Sequence, residues 1–200
     1  MTNTLATTTY AIDAATGLLQ GARQVLSPHF DERPAGVRPE LLVVHGITLP
    51  PGEFGGPWID RLFTGTLPSD AHPFFHELEG LRASAHALIR RDGQLVQYVA
   101  FGARAWHAGK SEYRGRSWCN DFSICVELEG TDDTPYTDAQ YDALASLTAT
   151  LLSAYPSLSA EAIVGHSDIA PGRKTDPGRS FDWTRFRALL AAGGPPAEAL

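Results

Sequence analysis

Residues 164–177, VGHSDIAPGRKTDP, place an imidazole (His166), two carboxylates (Asp168 and Asp176) and a basic pair (Arg173 and Lys174) in one segment rich in Gly, Pro and Asp. Such residues avoid strand and helix interiors, so the segment is expected to run over the surface as a loop, where sites are commonly built on a rigid scaffold. His166 and Asp176 are candidate ligands of a zinc ion. Chemistry at such an ion needs a third ligand from elsewhere and an open position for water. The first candidate is His45, at the end of ELLVVH (40–45). Four aliphatics bounded by Pro39 and Gly46 predict a buried central strand, and ligands are commonly bound beyond the carboxyl ends of such strands. A strand-end histidine that only hydrogen-bonds is the alternative.

The elements that must position these groups follow from periodicity. Residues 162–164 form a short apolar run that delivers His166, repeating the strand-then-His layout of His45. In FSICVELE (122–129) Phe122, Ile124, Val126 and Leu128 alternate with Ser123, Cys125, Glu127 and Glu129, so Glu127 points away from the apolar set. On a solvent face it would be trivial; on a cleft floor it would be a carboxylate placed for proton transfer. Residues 83–99 predict a hairpin, with Asp92-Gly93 signalling a type I′ turn. The following FGARAWHAG brings Trp106 and His107 to a strand exit, where they could line a cleft wall or pack in the core. His86 is equally open between core and cleft.

Residues 137–155 predict the longest helix: Thr137 and Gln140 form a capping box, apolar residues recur at helical spacing, and Pro156 stops it. Shorter helices are expected over 57–63 and 182–190, and 72–78 as a helical or irregular piece. His29 is expected to be structural because no second ligand type lies at useful spacing, and His72 and His76, spaced i, i+4, because the sequence lacks the HExxH pattern. Cys119 and Cys125 lack metal-site spacing and are expected as buried free thiols. Strands alternating with helices, and two histidines each at the end of an apolar strand, suggest an α/β sheet presenting its site at one edge.

Two hundred residues, 43% hydrophobic and 20% charged, describe one globular domain. Its expected extent is 21–190, with flexible tails over 1–20 and 191–200. A net charge of −7 offers no basic field for nucleic acid or an anionic membrane. The N-terminal residues lack the charged and apolar regions of a secretory signal, and no stretch is long enough to span a bilayer, so a cytoplasmic protein is expected. A monomer is expected.

The segments LLVVH, LPPGEFGGPWID, SAHALIRRDG, AWHAG, CNDFSICVELEGTD, YTDAQY and GHSDIAPGRKTDPG, spread over 21–190, resemble the cytoplasmic anhydromuramyl-L-alanine amidases. These belong to the zinc amidase superfamily that includes phage-lysozyme amidases and peptidoglycan recognition proteins. The resemblance implies an α/β fold with a mixed central β-sheet flanked by helices, in which His45, His166 and Asp176 hold Zn2+. It also implies that Glu127 is the acid/base carboxylate, that Lys174 stabilises the transition state, and that Arg82 and Trp106 line the sugar and peptide groove. Lys174 could alternatively bind a substrate carboxylate. The implied reaction is hydrolysis of the amide between the lactyl group of a muropeptide and L-alanine, in peptidoglycan recycling. Two positions depart from the family pattern: Gly46 replaces an Asn, and Trp118 an Arg. The implied consequence is altered contact with the substrate. A non-catalytic binding module and an envelope amidase acting on intact murein are the rival readings.

Overall fold

The structure, a computed structural model, describes residues 10–193. Its centre is a six-stranded sheet in the order Ile163–Gly165, Leu41–Ile47, Ser123–Glu129, Ala87–Ile89, Leu95–Gln97, Arg23–Gln24. The first four strands are mutually parallel, Leu95–Gln97 runs antiparallel to its hairpin partner, and Arg23–Gln24 runs parallel to Leu95–Gln97. The sheet is therefore mixed, as the family resemblance implies. The four parallel strands end at one edge, and His45, Glu127 and the start of the His166 segment all arrive there.

Ser123–Glu129 is buried throughout and Leu41–Ile47 as far as His45, and their alternation sorts residues between two faces. Leu42, Val44, Ile124, Val126, Leu128 and Ile163 share a core with Leu144, Leu147 and Leu151 of helix α2 (Asp138–Ala154) and Phe186 and Leu190 of helix α4 (Trp183–Gly193). Leu41, Val43 and Cys125 pack on the opposite face, beneath helix α1 (Trp58–Phe63) and the segments around Phe75, Cys119 and Ile169. His45 and Glu127 follow Val43 and Cys125 in the period-two pattern, so both share that second face. They are also register partners on neighbouring strands.

Helix α2 starts where the sequence places it. The Thr137 hydroxyl accepts from the Gln140 amide at 3.2 Å, and the Gln140 side chain accepts from the Thr137 amide at 3.1 Å. Gln140 also donates to the carbonyls of Ile89 and Glu129, tying the helix to the strand ends at the site edge. Thr137→Ala is expected to cost about 1–2 kcal/mol, because the hydroxyl additionally donates to the Arg91 carbonyl. Thermal denaturation should show a loss of about 2–8 °C.

Three local expectations change. The hairpin turn is not type I′. The Gly93 amide donates to Arg90, the Arg90 amide donates to Gln94, and only Gly93 of the loop has positive φ (86°), which defines a three-residue loop with glycine in the left-handed position. Asp92 accepts from the Gln94 amide, and Arg91 is held by Gln140 and the Pro135 carbonyl, contacts that keep both in ordinary φ. A type I′ pair occurs instead at Arg114 (φ 50°) and Gly115 (φ 80°), between strands Glu112–Tyr113 and Arg116–Ser117. At the N-terminus, part of the expected tail is ordered: Ala11–Ile12 pairs with Leu19–Gln20, and Leu19 is 2% exposed. Helix α4 continues to Gly193, beyond the expected end at 190. The remaining tail residues, 1–9 and 194–200, lie outside the described residues.

Arg33 is a hub that its surroundings in the sequence do not announce. Its guanidinium donates to the carbonyls of Phe101, Gly102, Asn120, Asp121 and Ser123, closing the loops before the Glu127 strand. Burial lowers its pKa to about 10, so it remains charged at neutral pH.

Candidate active site

The segment 164–177 is less loop-like than its composition suggests. His166 opens a one-turn helix, α3 (His166–Ile169), and the Asp168 carboxylate accepts from the Gly165 amide at 2.7 Å to cap it. Residues 171–173 then turn, with Gly172 at φ 74°, and the Ser167 amide donates to the Asp176 carbonyl at 3.0 Å. The two ends of the segment are thereby brought together. Arg173 donates to the carbonyls of Ala108 and Lys110. Asp168 and Arg173 are thus structural members of a segment whose other charged groups face the strand ends.

His45, His166 and Asp176 converge. Nδ1 of His166 lies 3.0 and 3.1 Å from the two Asp176 oxygens, and Nδ1 of His45 lies 3.2 Å from Oδ2. One ligand atom from each of the three falls within 4.8 Å of the others. Burial lowers the His45 pKa to about 4 despite the opposing pull of Asp176, so His45 is neutral at pH 7. Burial would raise the Asp176 pKa, but the His166 and His45 rings hold it well below the ordinary carboxylate range. The result is two imidazoles and one carboxylate gathered in a largely buried place. That donor set suits zinc in a site with an open coordination position.

A second group of possible ligand atoms, His45, His107 and Cys125, shares only His45 with the first. It lacks a carboxylate, and burial pushes the Cys125 thiol well above its ordinary pKa, away from the thiolate a metal requires. Nε2 of His45 and Nδ1 of His107 are 3.0 Å apart, a hydrogen-bond distance. The carboxylate-containing set is the better cation site.

Glu127 stands beside it, 7% exposed, with Oε1 3.8 Å from His45 Nδ1 and Oε2 buried without a hydrogen-bond partner. Burial, then the Asp176 charge, push its pKa well above the carboxylate range, and Lys174 opposes them. A carboxyl group raised in this way is suited to exchanging protons near neutral pH. Lys174 itself is exposed, and its charge is felt at both Glu127 and His45.

The remaining candidates lie further out. Trp106 is half-buried, stacks on His29 with ring centroids 6.0 Å apart, and donates from its indole to Asp31 at 3.1 Å. Exposed Arg82 and His29 line a depression of about 260 Å³ that also includes Leu62 and Phe75. His86 proves to be a core residue: Nδ1 accepts from the Cys125 amide and Nε2 faces the Ala103 carbonyl. Both cysteines are buried and free. His72 caps a 3-10 turn, Pro73–Leu78, by accepting from the Phe74 amide.

Both departures from the family pattern have structural settings. A Cβ on Gly46 would come within 2.5 Å of the Tyr136 hydroxyl, which is engaged with the Pro177 carbonyl, so a larger residue there requires Tyr136 to move. Trp118 is 69% exposed at φ 65°, a conformation unusual for a bulky side chain. The 3.0 Å approach of His107 to His45 is a contact that no local sequence pattern announces.

The sequence profile of the N-acetylmuramoyl-L-alanine amidase family (Amidase_2) matches residues 35–179, a span that includes His45, Glu127, His166 and Asp176. The chain belongs to that family and is an amidase. It is 64% identical over 175 residues to the 1,6-anhydro-N-acetylmuramyl-L-alanine amidase AmpD of Escherichia coli, covering 88% of this chain and 95% of that one. A crystal structure of a selenomethionine AmpD derivative superimposes with a TM-score of 0.87 at 62% identity, over 90% of this chain and 98% of the other. More distantly, AmpDh3 from Pseudomonas aeruginosa, crystallised in complex with anhydromuramic pentapeptide, matches with a TM-score of 0.56 at 30% identity, over 78% of this chain and 61% of that one.

Proposed function

We propose that this chain is a zinc-dependent amidase that hydrolyses the amide between the lactyl group of anhydro-N-acetylmuramic acid and L-alanine, in the recycling of peptidoglycan fragments in the cytoplasm. The observation that carries the reading is the convergence of His45, His166 and Asp176 with Glu127 alongside. The similarity to AmpD supports the bond, and the complex of AmpDh3 with an anhydromuramic pentapeptide supports a small muropeptide as the substrate. The donor set comes entirely from one chain, so a monomer suffices. The net charge of −7 speaks against nucleic acid or an anionic membrane as a partner.

His45, His166 and Asp176 would hold Zn2+, which, when bound, supplies Lewis acidity toward water and carbonyl oxygen. Glu127 takes a proton from the attacking water at its carboxylate and returns it to the departing L-alanine nitrogen. As the lactyl carbonyl becomes tetrahedral, negative charge grows on its oxygen, and the Lys174 ammonium offers a complementary charge. Arg82 and Trp106, near the His29 depression, are proposed to border the groove for sugar and peptide. Trp118 then presents an apolar face where a cation is expected, weakening recognition of a stem-peptide carboxylate.

Purified protein should release the stem peptide from anhydromuramyl-tripeptide, read by mass spectrometry, and lose that activity to a chelator until zinc is restored. Intact murein should be cleaved far more slowly. Turnover that survives complete metal removal would reject zinc dependence; faster cleavage of murein would reject the recycling role.

A further inference from the structure

We infer that His107 is a positioning residue that fixes the tautomer of His45, turning Nδ1 toward the ion through a chain of hydrogen bonds ending at Ser123. The inference rests on the proposed zinc site at His45, His166 and Asp176. Nε2 of His45 is 3.0 Å from Nδ1 of His107, and Nε2 of His107 is 2.9 Å from the Ser123 hydroxyl. A neutral imidazole has one N–H and one lone pair, so the roles along this chain are linked. If Nδ1 of His45 offers its lone pair to an ion held between it and Asp176, Nε2 carries the proton and must donate. Nδ1 of His107 is then the acceptor, its Nε2 carries a proton, and the Ser123 hydroxyl receives it. The opposite direction, with Nδ1 of His45 donating to Asp176, suits the metal-free protein but leaves Nδ1 no lone pair for the ion, so only the first direction is compatible with zinc.

The fold holds this line in place from the backbone outward. The Asn120 side chain accepts from the amides of both His107 and Ala108, at 3.2 and 2.8 Å, fixing the strand exit that presents the ring. Ser123 begins the strand that carries Glu127, so the relay is anchored on the same rigid element as the acid/base group. Outer hydrogen bonds of this kind fix the orientation and raise the basicity of a ligating histidine, and their loss commonly weakens metal binding 10–100-fold.

The test is zinc affinity by chelator competition, together with the rise in Tm on adding zinc. His107→Phe retains ring volume but cannot accept from His45, and should bind zinc about 10–100-fold more weakly, with a smaller zinc-induced rise in Tm. His107→Asn can place its side-chain oxygen near the former Nδ1 and should restore affinity to within about threefold of wild type. Ser123→Ala releases the far end and should weaken binding about threefold, keeping the inference testable if the Phe variant fails to fold. Wild-type affinity in His107→Phe or Ser123→Ala, or no rescue by Asn, would overturn the relay. So would a loss in Cys125→Ala as large as in His107→Phe, which would make His107 and Cys125 ligands themselves. His166→Ala separates the two levels: zinc bound normally there would reject the underlying site, whereas zinc lost there but retained in His107→Phe would reject only the relay.

Discussion

Glu127→Gln is expected to lower kcat by about 10²–10⁴ while leaving zinc stoichiometry unchanged, the span attributable to a positioned acid/base group. The substitution conserves volume in a place that is 7% exposed, and it removes only the capacity to take and return a proton. Three features of the setting make that capacity valuable. Oε2 is buried without a protein partner, so it is available to water or substrate. Burial and the adjacent Asp176 raise the pKa well above the carboxylate range, while Lys174 restrains the rise. Register pairing with His45 fixes the carboxylate beside the proposed zinc ligands and within the sheet. Metal analysis and single-turnover kinetics decide between roles. A variant that loses zinc together with activity would make Glu127 a ligand, and a fully active variant would remove it from the reaction.

How much of this was legible in the sequence depended on the range of the interactions. ELLVVH announced a buried strand and its terminal histidine, because four aliphatics between Pro39 and Gly46 are a local signal. Thr137 and Gln140 announced the start of α2 for the same reason, their capping contacts being three residues apart. The convergence of His45 with His166 and Asp176 came instead from family resemblance, because the strand order that brings them together is not written in any local pattern. Arg33 was opaque: one arginine in SPHFDERP has no periodicity, and its five carbonyl partners are 68–90 residues away. His107 was ambiguous for a related reason. A histidine at a strand exit can be core, ligand or support, and only the 3.0 Å approach to His45 distinguishes them. At Asp92-Gly93 the local signal was real but incomplete, since the contacts of Arg91 with Gln140 and the Pro135 carbonyl help select the longer loop.

Asp176→Ala is expected to weaken zinc binding by about 10²–10³-fold, with activity at limiting zinc falling in proportion. Zinc sites of proteins bind with about 10–16 kcal/mol in total, so one ligand of three or four represents about 3–4 kcal/mol. Asp176 is the only anion of the set and the common neighbour of both imidazoles, which puts its share at the upper end. The fold should survive. The Ser167 amide bonds to the Asp176 carbonyl rather than its side chain, and the Tyr136 hydroxyl holds the Pro177 carbonyl at 2.9 Å. Acid denaturation of the metal-free protein provides an independent reading. Although burial opposes ionisation, the His166 and His45 rings lower the folded-state pKa of Asp176 below its unfolded value. Its ionised form therefore stabilises the metal-free fold above the ordinary carboxylate pKa, and that contribution disappears as pH falls toward the folded value. The alanine variant has no such contribution to lose, so its stability should fall less steeply on the acid side. If zinc affinity is unchanged, Asp176 is not a ligand; if zinc is lost but the acid limb is unaltered, the contacts with the two rings do not stabilise the metal-free fold.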